Sequence, residues 1–147
     1  MRDIKFRAWD TNKMIDVKVL EYVPAHKSFN GKPGYNVNYH LGIPAENLMQ
    51  YTGLKDKNGK EIYEGDIVET LEDGNAEVIF QDGIFGCKVE RPQSTEGGTE
   101  FYEEFISLND LIDSGYWGSS DGIKEPYFIL EVIGNIYENP ELLKDNH

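Results

Sequence analysis

Nucleophiles, imidazoles and carboxylates all occur in this 147-residue chain, but little in their spacing lets them act together. Cys87 sits in Phe85-Gly-Cys-Lys-Val89, a strand-like stretch where a lone Cys is a small buried hydrophobe rather than a nucleophile. His26, His40 and His147 are too dispersed for metal-ligand spacing, and no zinc pattern is present. Glu103 and Glu104 are adjacent, so on a strand they point to opposite faces and cannot share acid-base work. Gly31, Gly34 and the Gly97-Gly98 pair lack the spacing and following helix of a phosphate loop. Asp56, Asn58 and Glu61 invite a calcium reading. A calcium-binding helix-loop-helix needs Gly at its sixth position and Glu at its twelfth, whereas here Gly59 is fourth and an aliphatic residue is twelfth. The expectation is a protein without catalytic residues, metal or cofactor.

One segment does look suited to binding. Residues 24–45 contain no carboxylate in an otherwise acidic chain, yet carry His26, Lys27, Lys32 and His40 interleaved with Phe29, Tyr35 and Tyr39. Rings and cations in that mixture can stack bases and hold phosphates, as in single-strand binders. The bland alternative is a long loop whose rings pack inward and whose lysines are solvated. Trp117, in a second Gly-rich loop, joins His26, Lys27, Phe29, Lys32, Tyr35 and Tyr39 as a candidate contact residue because aromatics favour interfaces. The net charge of −13, from 27 Asp and Glu against 14 Lys and Arg, repels nucleic acid and anionic lipid and makes nucleic acid the less favoured partner. Such acidity also simply keeps a protein soluble.

The elements that must position these residues are strands. Asn58-Gly59 marks a hairpin. A three-residue loop with Gly59 left-handed pairs Asp56 with Lys60, Lys55 with Glu61 and Leu54 with Ile62, whereas a two-residue loop sets like charges opposite each other, so the former is expected. Ile4, Phe6 and Ala8 alternate on an opening strand, residues 9–13 turn, and Met14, Val17, Val19 and Leu20 mark a second strand. Residues 24–45 read as mostly loop, with a short strand at 35–41. A tight turn at Glu64-Gly65-Asp66 leads into Ile67-Val68-Glu69-Thr70, and residues 72–75 turn again. Residues 76–80 and 84–89 form a hairpin about Gln81-Asp82-Gly83. Residues 91–99 read as a polar loop. Ser107 with Asp110 resembles a capping arrangement for a helix over 108–112. Residues 114–126 form the second long loop, residues 127–133 a central apolar strand with a bulge at Gly134, and Asn139-Pro140 opens a short terminal helix. Together these predict one mainly β domain over residues 1–147, an antiparallel barrel-like fold of hairpins with long loops and one or two short helices. A single Cys, no signal-peptide apolar run and no stretch of membrane-spanning length point to a soluble cytoplasmic protein with no membrane contact.

Three blocks carry a family resemblance: Ile4-Lys-Phe-Arg-Ala-Trp-Asp10, the central residues 48–68, and Glu131-Val-Ile-Gly-Asn-Ile-Tyr-Glu-Asn-Pro-Glu-Leu-Leu143. In that order they resemble the YopX family of small phage and prophage proteins, chiefly from Gram-positive hosts. The resemblance implies an all-β, barrel-containing fold that tends to self-associate inside an infected or lysogenic bacterium; it implies no catalytic residues. The functional expectation is a non-catalytic phage or prophage accessory protein acting through protein–protein contacts, as a homo-oligomer or on a host protein. The alternative is single-stranded nucleic-acid binding through residues 24–45.

Overall fold

Turn chemistry organises the chain. At Asp82-Gly83 both residues have positive φ, 53° and 83°, and Gln81 faces Ile84 across them. That is the two-residue turn whose twist matches its flanking strands. The computed structural model describes residues 3–39, 41–70, 74–114 and 130–144, without the side chains of 112–114. It is mainly β, with antiparallel sheets, one curled into a half-barrel, one helix and short 3₁₀ turns. The chain divides into two compact units, Met1–Gly53 and Leu54–His147.

The first unit contains β1 (Phe6–Asp10), β2 (Lys13–Asp16), β3 (Leu20–Val23), β4 (Gly34–Val37), β5 (Leu41–Pro44) and most of β6 (Leu48–Lys55). β1 lies between β2 and β6, and β4 lies between β3 and β5. Ala8, Val37 and Ile43 form its buried centre, with Ile15, Val17, Leu20, Tyr35, Leu41 and Leu48 packed around them. Several expectations need correction here. Ile4 precedes β1 and is 64% exposed, while Trp9 and Asp10 remain in β1, opposite Met14 and Lys13. The second strand is two strands in different sheets. Asn38 holds the chain between them: Lys18 N and Val19 N donate to its Oδ1 (2.8 and 3.1 Å), and its Nδ2 donates to Asp16 O (3.1 Å). Residues 24–45 hold two short strands where one was expected at 35–41, with 28–33 remaining a loop. They supply β4, β5 and a 3₁₀ turn at Ala25–Lys27. Their Pro, Gly and Asn content masked a short hairpin in which Gly34 runs close to Ile43; a Cβ at Gly34 would lie 2.9 Å from Ile43 O.

The second unit contains the end of β6, β7 (Glu61–Tyr63), β8 (Asp66–Thr70), β9 (Gly74–Gln81), β10 (Ile84–Thr95), β11 (Gly98–Ser107), the helix α1 (Leu108–Ser114) and β12 (Glu131–Asn135). Five strands pair in the order β11-β10-β9-β8-β12. β9 divides its pairing, residues 74–77 with β8 and residues 78–81 with β10. Ile62, Val68, Val78, Cys87, Leu108 and Leu130 are among the core residues. Fully burying an aliphatic side chain of this size stabilises by roughly 1.5–3 kcal/mol. Asp110 N donates to Ser107 Oγ (3.1 Å), so the expected cap starts α1. The register shifts between Val132 and Gly134, the expected bulge. A Cβ on Gly134 would lie 2.5 Å from Asn139 Oδ1, so only glycine fits beside that side chain. Pro140–Leu143 is a 3₁₀ turn, and Asn139 precedes it without capping it: its Oδ1 accepts from Asn135 N (3.3 Å). Residues 91–99 are no loop but the outer half of a β10–β11 ribbon, which escaped notice because it has no apolar face. The long loop at 114–126, and residues 127–129 of the expected apolar strand, lie outside the described residues.

β12 is at the sheet edge rather than its centre, and the 54–63 hairpin explains how an apolar edge strand is tolerated. Asp56 N donates to Lys60 O (2.8 Å) and Gly59 has φ 79°, the expected three-residue loop. Asp56 is only 2% exposed. Its Oδ1 accepts from Asn58 N and Lys60 N (both 2.9 Å), closing the turn. Its Oδ2 accepts from Val132 N at 2.9 Å, while Lys57 N donates to Leu130 O at 3.0 Å. Val132 N and Leu130 O lie on the side of β12 away from β8, so the hairpin loop takes the place of a further strand. Glu131 is held by Asn58 Nδ2 (3.2 Å) and Lys57 Nζ (3.3 Å). Replacing Asp56 by Asn turns a donor towards Val132 N and leaves that buried N–H unsatisfied. Asp56→Asn should therefore lower unfolding free energy by about 2 kcal/mol, read from the urea midpoint; an unchanged midpoint would show that the carboxylate is dispensable.

Candidate functional site

The groups that could do chemistry are placed away from one another. Cys87 is fully buried in the second unit, and burial, reinforced by the charge of Glu77, pushes its thiol up to about 12. A thiol held protonated is a poor nucleophile. Burial also raises Glu77 from its ordinary value of 4.5. Asp56 spends its oxygens on backbone donors, leaving the calcium reading without a ligand set. Among the described residues no three His, Cys, Asp or Glu side chains gather as a metal site.

A groove does form where the basic-aromatic segment folds. Its volume is about 420 Å³, and its walls include Lys27, Phe29, Lys32, Tyr35, Asn36 and Gly42. The wall at 28–32 is held by Asn30, whose Oδ1 accepts from Ser28 Oγ (2.7 Å) and Lys32 N (3.0 Å). Tyr35 meets Tyr22 edge-on, with ring centroids 5.6 Å apart. Phe29 is 109% exposed and so contributes nothing to the core. Four of the expected contact residues, Lys27, Phe29, Lys32 and Tyr35, are thus brought together. His26 is exposed on the Ala25–Lys27 turn and is not a groove wall. Tyr39 lies in the β4–β5 connection, also outside the groove walls, and Trp117 lies outside the described residues.

Tyr39 has another peculiarity. Its φ is 78° beside Asn38 at 54°, a left-handed conformation that costs a bulky residue of order 1 kcal/mol or more. Asn38 is repaid by its hydrogen bonds to the 16–19 backbone, whereas the Tyr39 ring is largely exposed. An exposed ring on a strained turn contributes little to folding that a smaller residue would not.

The second candidate surface is the ribbon. β10 pairs with β9 only through Cys87, and beyond it β10 and β11 continue as two strands to Thr95 and Gly98. Phe101 and Tyr102 are 59% and 45% exposed there. Glu90 faces Glu103 directly, a like-charge pair that disfavours the ribbon in isolation. Pro92 removes one N–H from β10, so β11 offers the more complete edge; among the described residues its only strand partner is β10. This ribbon belongs to the acidic part of the molecule. Residues 1–53 carry seven Lys and Arg against five Asp and Glu, a net of +2; residues 54–147 carry seven against 22, a net of −15. The total of −13 had hidden that division.

Fold and surfaces define a small antiparallel β protein with a basic-aromatic groove and an acidic ribbon. It belongs to the YopX family, whose model matches residues 5–144. No curated protein matches the chain. A similar solved structure is that of protein EF1440 from Enterococcus faecalis, 27% identical over 97% of this chain and 99% of that one, with a TM-score of 0.46. Family membership suggests a phage-associated protein. Among the described residues no helix is long and apolar enough to cross a membrane.

Two substitutions test these local environments. Tyr39→Gly should raise stability by about 1 kcal/mol by relieving left-handed strain, and a loss measured by urea unfolding would remove the strain argument. For Glu77, the folded form holds its proton more tightly than the unfolded chain, so its contribution to stability falls as pH rises from 4.5 through the folded value. Glu77→Gln should therefore be more stable than the parent at neutral pH, with the difference shrinking towards pH 4.5. A difference independent of pH would rule out burial of the charge as its cause.

Proposed function

We propose that this protein is a non-catalytic phage accessory protein of the host cytoplasm that captures a basic protein partner along the β11 edge of its second unit. The observation that carries this reading is the ribbon: a ten-residue strand, Gly98–Ser107, with one strand neighbour among the described residues and with exposed rings. Strand edges recruit extended segments by main-chain hydrogen bonds, and alternate side chains choose among them. The choice here is electrostatic. Glu100, Glu103 and Glu104 line β11, and 22 carboxylates crowd residues 54–147. Symmetric pairing of β11 with a second copy would bring these like charges together. A Lys- and Arg-rich surface, such as a nucleic-acid-binding protein presents to phosphates, complements them, and the carboxylates would stand where phosphates otherwise would.

The test is recovery of the tagged full-length protein from infected cells after nuclease treatment. A stoichiometric basic partner should be retained by the parent chain. It should fall at least tenfold with the paired change Glu100→Lys and Glu103→Lys, and be released by about 0.5 M salt, where screening is strong. A partner indifferent to both treatments would overturn the reading. So would recovery of the protein alone as an oligomer by light scattering, which would make self-association its principal contact.

A further inference from the structure

We infer a second binding site, independent of the ribbon: the groove of the first unit binds single-stranded nucleic acid, one nucleotide at a time, with a base on Phe29 and its phosphate between Lys27 and Lys32.

The placement of the charges comes first. Lys27 and Lys32 both wall the groove, and no ion pair joins either to a carboxylate among the described residues. The whole segment between Tyr22 and Ala45 lacks Asp and Glu. The carboxylate of Glu21 reaches the groove wall, where Asn36 Nδ2 donates to its Oε1 at 2.9 Å. The chain's total charge argues against a polyanion, but the carboxylates responsible are nearly all in residues 54–147. At physiological salt a phosphate responds mainly to charges within about 8 Å. Residues 1–53, which hold the groove, are by themselves net positive.

Shape and aromatics come next. A volume of about 420 Å³ falls within the range of about 300–1,000 Å³ usual for small-molecule sites, room for one nucleotide rather than a duplex. Gly42 leaves its wall open, because an added Cβ there meets nothing within 4 Å. Phe29 presents its ring to solvent in full, an arrangement with a hydrophobic cost and no packing return. A base stacked on that ring recovers the lost contact, and since every base has such a face, binding is tolerant of sequence. The 28–32 wall is already shaped by the Asn30 hydrogen bonds, so little ordering is needed on binding.

Binding is measured by fluorescence anisotropy of a labelled oligothymidylate of about 12 nucleotides, a length matching known single-strand sites. The full-length chain is titrated at about 50–150 mM salt, with duplex DNA and thymidine monophosphate as competitors. The parent chain should bind the single strand. Phe29→Ala should weaken it about tenfold, as expected for losing one stacked base. The pair Lys27→Ala and Lys32→Ala should reduce the slope of log affinity against log salt by about 0.7, the value for one phosphate contact on a single strand. All three side chains are exposed, and circular dichroism confirms that the variants are folded. Tyr102→Ala, on the ribbon, should leave this affinity unchanged, which separates the site from the partner-capture surface. No anisotropy change with the parent chain would overturn the inference, as would binding insensitive to Phe29 and the lysines. Equal competition by duplex would exclude single-strand recognition. Thymidine monophosphate competing as well as the strand, nucleotide for nucleotide, would assign the groove to a free nucleotide and overturn the strand as occupant.

Discussion

Three backbone N–H groups converge on the buried carboxylate of Asp56, and the second unit is organised about that point. Two of the donors come from its own turn and the third from β12, so one side chain sets the hairpin's loop and secures the last strand of the sheet. A buried carboxylate is tolerable only when its lone pairs are used, and here three backbone donors use them. β12 then pairs with β8, β8 with β9, and the divided pairing of β9 turns the sheet towards β10. The loop at 57–58 also covers the edge of β12, while the opposite edge of the same sheet, β11, is left for other uses. Among the described residues, one end of this sheet is closed and the other open.

Much of this was legible where a residue type has only one good use. Asn58-Gly59 and the charges flanking it specified the hairpin register; Ser107 three residues before Asp110 specified the helix start; Gly134 marked the bulge. Legibility failed where composition and conformation part company. Residues 24–45 have the prolines and glycines of a loop, yet β4 and β5 are short enough to fit between them. The outer ribbon is largely exposed on both faces among the described residues, so no apolar periodicity marks it. An Asp flanked by lysines reads as solvated, and nothing local announces that Asp56 is received by a strand 76 residues away. The apolar run ending at Ile133 read as a central strand because hydrophobicity reports burial of faces, not position in the sheet.

The groove was half legible. The interleaving of Lys27, Phe29, Lys32 and Tyr35 was visible, but only the fold shows that these four share a wall while His26 and Tyr39 do not. Every carboxylate was in view from the start, yet a single net value hid the fact that the first 53 residues are weakly basic and the remainder strongly acidic. Where a chain divides into units, charge is informative only once it is assigned to them.

The late position of β12 has a consequence for how the protein is made. Once residue 53 has emerged the first unit can complete the pairings of β1 with β2 and β6, those of β3 to β5, and the Asn47–Trp9 link, with the pairing of β6 to β7 left to follow. The second cannot: Asp56 must await Val132, and Asn75 must await Leu142. At ribosomal rates of about 5–20 residues per second, that leaves its early strands incomplete for on the order of 5–15 s. Throughout that interval the apolar residues of β7, β8 and β9 are uncovered on the nascent chain. Their neighbours Glu61, Glu64, Asp66, Glu69 and Glu77 act as gatekeepers against premature association. The acidity of this region thus protects strands that are obliged to wait for Val132 and Leu142.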